Sequence, residues 1–95
     1  MPTVGVLTLE LRLEDCHSLK DKRHYVLGLK DRLRHHHNVA VAEIDFQDIW
    51  QHALVAAVTV SSSRQRAAQV LEQVEREAAS FLGGALVNTV VEWLA

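Results

Sequence analysis

The sequence predicts a two-layer α+β fold in which a four-stranded antiparallel sheet carries two helices on one face. Two observations predict it. Apolar residues alternate in four stretches and recur at helical spacing in two, in the order β-α-β-β-α-β. The two β-α-β halves are joined by a hairpin without a linker, which is the split arrangement called ferredoxin-like. Right-handed crossovers then place both helices on one face, with strand order 4-1-3-2 and strands one and three central.

Each element follows from a local pattern. In Thr3 to Leu13, Leu7, Leu9, Leu11 and Leu13 point to one face, and Val4, Val6, Thr8, Glu10 and Arg12 to the other. Glu14 to His17 connect. Ser18 is placed to cap a helix, with Asp21 three residues on. Leu19, Val26, Leu29 and Leu33 follow at helical spacing. The first helix therefore runs from Leu19 to about His36, with Asn38 as the left-handed residue that ends it. Val39 to Ile44 is the second strand and Ala53 to Val60 the third. Between them, Asp45 to Gln51 forms a long hairpin loop, polar except for Phe46, Ile49 and Trp50. Ser61 to Ser63 supply the next cap. Ala67, Val70, Leu71, Val74, Ala78 and Phe81 make one stripe of the second helix, Gly83 and Gly84 stop it, and Leu86 to Leu94 is the last strand.

At 95 residues the chain is a single domain, 1–95, able to bury one core. Hydrophobic residues make up 48% and charged residues 23%, a globular mixture rather than a disordered one. The net charge of -2 gives no overall attraction to nucleic acid. Cys16 is the only cysteine, so no internal disulfide asks for an oxidising compartment. Met1 to Val4 lack the basic start of a signal peptide. The longest apolar run, Ala53 to Val60, is far too short to span a membrane. These features point to the cytoplasm.

Helices on one face leave the other uncovered. On strand one that face carries Val4, Val6 and Thr8. Ala53, Val55, Ala57 and Thr59 of strand three join them if Leu54, Ala56, Val58 and Val60 face the helices. Contiguous exposed apolar area marks an interface. Val4, Val6, Val55 and Ala57 are therefore the expected partner surface, with a homodimer or a partner protein packing on it.

Several segments stand in a recognisable order. Val4-Gly5-Val6-Leu7-Thr8-Leu9 precedes Ser18-Leu19-Lys20-Asp21-Lys22-Arg23. Leu29-Lys30-Asp31-Arg32-Leu33, Asn38-Val39-Ala40-Val41-Ala42-Glu43 and Asp45-Phe46-Gln47-Asp48-Ile49-Trp50-Gln51 follow. Together they resemble the YlxP-like family, a bacterial domain of unknown function, over essentially the whole chain. The resemblance implies a ferredoxin-like fold and no established catalytic or ligand residue. Members of that family are often encoded beside translation-initiation and ribosome-maturation factors. That association implies ribosomal RNA or the small ribosomal subunit as a partner. Cys16 is not part of the family pattern, and His35-His36-His37 stands where that family tends to carry basic residues.

Charge is unevenly distributed. From His17 to His37 there are six Lys or Arg against two Asp, a local balance of +4, while the rest of the chain is -6. Arg23, Lys30 and Arg34 fall within about 40° of one another on a helical wheel. Such a row can track a phosphate backbone, although a solvated helix face is the plainer reading. With Lys20 they are the nucleic-acid-binding candidates, touching phosphates without sequence preference. Lys22 lies at the angle of Val26, Leu29 and Leu33. It reads as a lysine whose stem covers the core and whose amine pairs with Glu43 or Asp45.

Other groupings carry less. Glu43, Asp45, Asp48 and His52 have the chemistry of a hard-metal site or an acid–base pair, but their spacing matches no metal motif. Loop acids more often solvate a turn. Consecutive helix residues point 100° apart, so His35, His36 and His37 cannot converge on one ion, and no metal site is expected. Cys16 precedes a helix N-terminus, where a thiolate would be stabilised, yet no oriented base accompanies it. Trp50, beside Ile49 and Phe46, reads as a plug over the core or a contact between copies rather than a base-stacking platform. There is no phosphate loop, no G-x-G-x-x-G and no CxxC, so no cofactor or small-molecule substrate emerges. The central strands also lack the aromatics on which RNA-recognition motifs stack bases. The expectation is a non-enzymatic accessory protein bound to ribosomal RNA or the ribosome, with a homodimeric interaction module as the alternative.

Overall fold

The computed structural model describes all residues, Met1 to Ala95. The elements are β1 (Thr3–Arg12), α1 (Leu19–His36), β2 (Ala40–Asp45), β3 (His52–Ser61), α2 (Arg64–Leu82) and β4 (Leu86–Trp93), with a 3-10 turn at Gly83–Ala85. The sheet is antiparallel throughout, in the order β2-β3-β1-β4. This is the ferredoxin-like arrangement that the sequence predicts.

The caps form where the pattern placed them, with one exception. Ser18 Oγ accepts the Asp21 N–H at 3.0 Å, and the Asp21 carboxylate accepts the His17 N–H at 3.2 Å. Ser63 Oγ accepts the Arg66 N–H at 3.3 Å, and Gly83, at φ 57°, ends α2. Asn38, however, is not left-handed. The chain leaves α1 through extended His37, whose N–H closes the last turn on the Leu33 carbonyl. The Thr59 hydroxyl then donates to the Asn38 carbonyl at 2.7 Å. A side chain from the sheet thus holds the turn, and no left-handed residue is needed.

The core lies between the sheet and the helices. It joins Leu7, Leu9 and Leu11 of β1 to Val26, Leu29 and Leu33 of α1 and to Leu71, Val74 and Ala78 of α2. Directly paired residues share a sheet face. Leu7 pairs with Ala57, Leu9 with Val55 and Leu11 with Ala53. Val55 and Ala57 are therefore fully buried beneath the helices, and not on the uncovered face where the sequence reading put them. The large leucines of β1 need small neighbours on β3 if both helices are to approach the sheet closely. The uncovered face instead carries Val4, Val6, Thr8, Glu10 and Arg12 of β1, Leu54, Ala56, Val58 and Val60 of β3, Ala40 and Ala42 of β2, and Asn88, Val90 and Glu92 of β4.

A polar seam joins the helices. Tyr25 packs on Phe81 with ring centroids 5.6 Å apart. One carboxylate, Glu77 of α2, takes both His36 Nδ1 at 2.7 Å and His37 Nε2 at 2.8 Å, with Arg32 Nε at 3.8 Å. Burial pushes the Glu77 carboxyl up, but the hydrogen bonds from His36 and His37 and their charges outweigh it, so the net shift is below the ordinary 4.5. A depressed carboxyl stabilises the fold above its unfolded value and loses that contribution as pH falls through its folded value. Glu77→Gln is expected to cost about 1–2 kcal/mol in urea denaturation at pH 7. The difference from the native chain should shrink as pH falls below about 4.5, and a difference that persists unchanged in acid would contradict this role.

Candidate functional site

The β1–α1 connection, the β2–β3 hairpin tip and the α2–β4 turn gather at one end of the sheet. The tip is organised by Lys22. This side chain is 0% exposed, and its Nζ donates to the carbonyls of Phe46 at 2.5 Å, Ile49 at 2.6 Å and His52 at 3.1 Å. Glu43 Oε2 lies 2.8 Å from the same nitrogen. An ammonium has three N–H groups, and the three carbonyls occupy them. Buried Glu43 Oε2 thus receives the charge but no hydrogen bond. The sequence expectation of a core-covering lysine with a carboxylate partner holds, with Glu43 as that partner.

The tip is tightly shaped as a result. Phe46 sits at φ 63°, a conformation strained for a bulky side chain. Its N–H donates to Asp45 Oδ1 at 2.8 Å, and its ring stacks on His52 at 3.9 Å. The Ile49 and His52 carbonyls turn inward to Lys22. The Ile49 and Trp50 side chains are left outside, 46% and 43% exposed. Trp50 is therefore no plug over the core, because its neighbours' carbonyls, and not its ring, face inward.

The candidate acid–base residues are distributed among separate partners. Glu43 belongs to Lys22, Asp45 caps Phe46, and His52 Nε2 meets Glu10 Oε2 at 2.8 Å. Asp48 is exposed and unpaired. The three consecutive histidines also diverge, His35 to the Asp31 carbonyl and His36 and His37 to Glu77. No group of three ligating side chains is placed to hold a metal ion. Burial pushes the Cys16 thiol up, as do Asp21 and Asp15, against a smaller opposite effect of Lys22. The direction is opposite to the one that the helix N-terminus led us to expect.

The basic row of α1 is thinner than its sequence. Arg34 is paired with Asp31, and Arg32 lies by Glu77. Lys20 and Arg23 are exposed and Lys30 half-buried, and none of them has a carboxylate at ion-pair distance. Lys20 and Arg23 also border an open groove of roughly 1100 Å³ floored by Leu13, Cys16, Tyr25 and Leu82. Its banks carry Arg12 as well as Glu14, Asp15 and Asp21, so it favours neither sign. The groove arises because α2 stops at Gly83, leaving the first turns of α1 unflanked. The two glycines were the only sequence signal for it.

The remaining feature is the bare side of the sheet. Val58, Val60 and Val90 are exposed there, and no element of the chain lies over them. Charged residues sit at its margins: Glu10, Arg12 and His52 at one end, Glu92 on β4.

A family model described as a protein of unknown function, DUF503, matches residues 4–91. The chain belongs to the DUF503 family. It is 32% identical over 90 residues to the uncharacterized protein YlxP of Bacillus subtilis strain 168, covering 95% of this chain and 98% of that one. Among solved structures, the de novo designed protein Foldit4 superposes with a TM-score of 0.61 at 10% identity, covering 100% of this chain and 98% of that one. A dimeric ferredoxin-like protein of unknown function from Thermobifida fusca gives 0.52 at 16% identity, covering 97% and 91%. The dinuclear metal-binding M20 peptidase YXEP of Bacillus subtilis also gives 0.52, at 14% identity, but with only 26% of its chain covered. These structural likenesses show the fold alone. No helix of this DUF503 chain is long and apolar enough to cross a membrane.

Lys22→Met would leave Glu43 buried without a counter-charge. It is expected to destabilise the chain by about 3–5 kcal/mol in urea denaturation, and adding Glu43→Leu should restore much of the loss. A loss below about 1 kcal/mol for Lys22→Met would show that the buried ammonium is not what holds the tip.

Proposed function

We propose that this chain is a non-enzymatic interaction module that works as a homodimer, with two copies packing their uncovered sheet faces together. The observation that carries this reading is the group of apolar residues Val4, Val6, Ala56, Val58, Val60 and Val90 around Thr8, with Glu10 and Arg12 towards one end of the face and Glu92 on its edge strand. An apolar middle and a polar rim are the anatomy of a protein interface. Four strands about 4.8 Å apart and up to about 33 Å long offer roughly 550 Å² per copy. A pair would bury about 1,100 Å², enough for a specific interface. The side chains at the middle of the face are mostly valines and alanines. The Thermobifida fusca protein, dimeric on the same fold, supports this use.

A second reading rests on Lys20, Arg23 and Lys30, the cations of α1 without carboxylate partners. They would contact phosphates of ribosomal RNA or the small ribosomal subunit in the cytoplasm. Sheet-to-sheet packing leaves α1 on the outside, so the two readings are compatible.

Light scattering on the purified chain is expected to give twice its 10.7 kDa mass. Val58→Glu, which puts a charge in the middle of the face, should give a folded monomer. A native chain that stays at single-chain mass at high concentration would remove the homodimer. Co-sedimentation with small ribosomal subunits tests the second reading. Lys20→Glu, Arg23→Glu and Lys30→Glu together should abolish it, and binding unchanged by this triple substitution would remove these residues from the role.

A further inference from the structure

We propose that the β2–β3 hairpin tip is a docking knob that inserts Ile49 and Trp50 into an apolar pocket with a basic rim on another protein. The tip stands at the end of the sheet where β3 begins, whereas Val58 and Val60 of the uncovered face lie towards the other end.

Joining β2 to β3 does not require such a tip. Two residues in a tight turn connect antiparallel strands. This chain uses six, Phe46 to Gln51. It holds them with a fully buried ammonium, itself costly to desolvate, and with a strained Phe46. The opposite flank is pinned too. The Leu13 N–H donates to the Gln51 carbonyl at 3.0 Å, and Gln51 Nε2 donates to the Cys16 carbonyl at 3.3 Å. His17 leans edge-on against Trp50, with ring centroids 6.4 Å apart. Most of these restraints act on backbone and flanking residues, and while Phe46 is packed on His52, the Ile49 and Trp50 side chains remain partly exposed. A rigid, exposed tryptophan loses little freedom on docking, which is the character of an interface anchor.

Charge selects the partner. Asp48 is the charged residue of the loop and Asp45 stands at its base, both exposed, while exposed Glu14 and Asp15 belong to the neighbouring β1–α1 connection, which Gln51 meets at the Glu14 and Cys16 carbonyls. Arg12 stands at the nearby strand end, and Lys20 and Arg23 lie toward the groove on the α1 side. The charges of the loop and its base are therefore acidic. They repel a phosphate backbone and suit a protein surface whose pocket is ringed by Lys and Arg.

The test places a photo-crosslinking benzophenone amino acid at Ile49 of the full chain, and at Gln47 as a second position, in the cells that make it. Arg76 on α2 serves as the control position. The expected result is one protein adduct, absent from the control, cross-linked at apolar residues flanked by Lys or Arg. Binding of that purified partner should weaken about thirtyfold or more with Trp50→Ala and also with Asp48→Lys. Val58→Glu should leave it unchanged, which separates this proposal from the homodimer reading. Trp50→Ala removes an exposed side chain, and an unchanged thermal transition would confirm that the variant folds. An adduct removed by ribonuclease, an adduct between two copies of this chain, no adduct beyond the control, or affinity indifferent to Trp50→Ala would each overturn it.

Discussion

A single ammonium group holds together one end of this molecule. Lys22 stands in the first turns of α1 at the angle of the apolar stripe, so its stem fills core space as a methionine would. Its head replaces water for three carbonyls of a hairpin tip more than twenty residues away. A neutral donor could satisfy those carbonyls in part. Only a cation also explains why Glu43 lies buried beside them. Helix, edge strand and hairpin are thereby fixed to one another at a point where the hydrophobic core has no apolar contact to offer.

The rest of the architecture follows from a one-sided sheet. Leucines on β1 and small residues on β3 draw both helices onto one face, and the Glu77 seam ties the helices together. The other face is left without cover. Its valines are exposed there or half-covered, the unpaired cations of α1 lie on the helix side, and the Ile49–Trp50 tip stands at the end of the sheet. The uncovered face and the cations of α1 thus lie on opposite sides of the sheet.

Much of this was legible in the residues. The leucine alternation of β1, the Ser18–Asp21 and Ser63 caps and the Gly83 stop gave the element order and the strand order. The angle of Lys22 gave its burial. The register of β3 was not legible. A strand reading Ala-Leu-Val-Ala-Ala-Val is apolar on both faces, and only the leucines across from it decide which side goes in. Asn38 misled because Thr59, distant in sequence, holds that turn. Arg34 looked free because Asp31 lies one helical turn earlier and its pairing depends on rotamers. The exposure of Trp50 was hidden for a similar reason: the carbonyls around it are ordered by a lysine on another element.

The most direct measurement of the uncovered face is methyl NMR with a soluble paramagnetic agent. If the sheet face is covered by a second copy in solution, the methyl groups of Val4, Val6, Val58 and Val60 will be shielded at high protein concentration. They will become accessible on dilution, while Leu27, exposed on α1, relaxes strongly throughout. Val58 and Val60 methyls as accessible as those of Leu27 at every concentration would contradict the account.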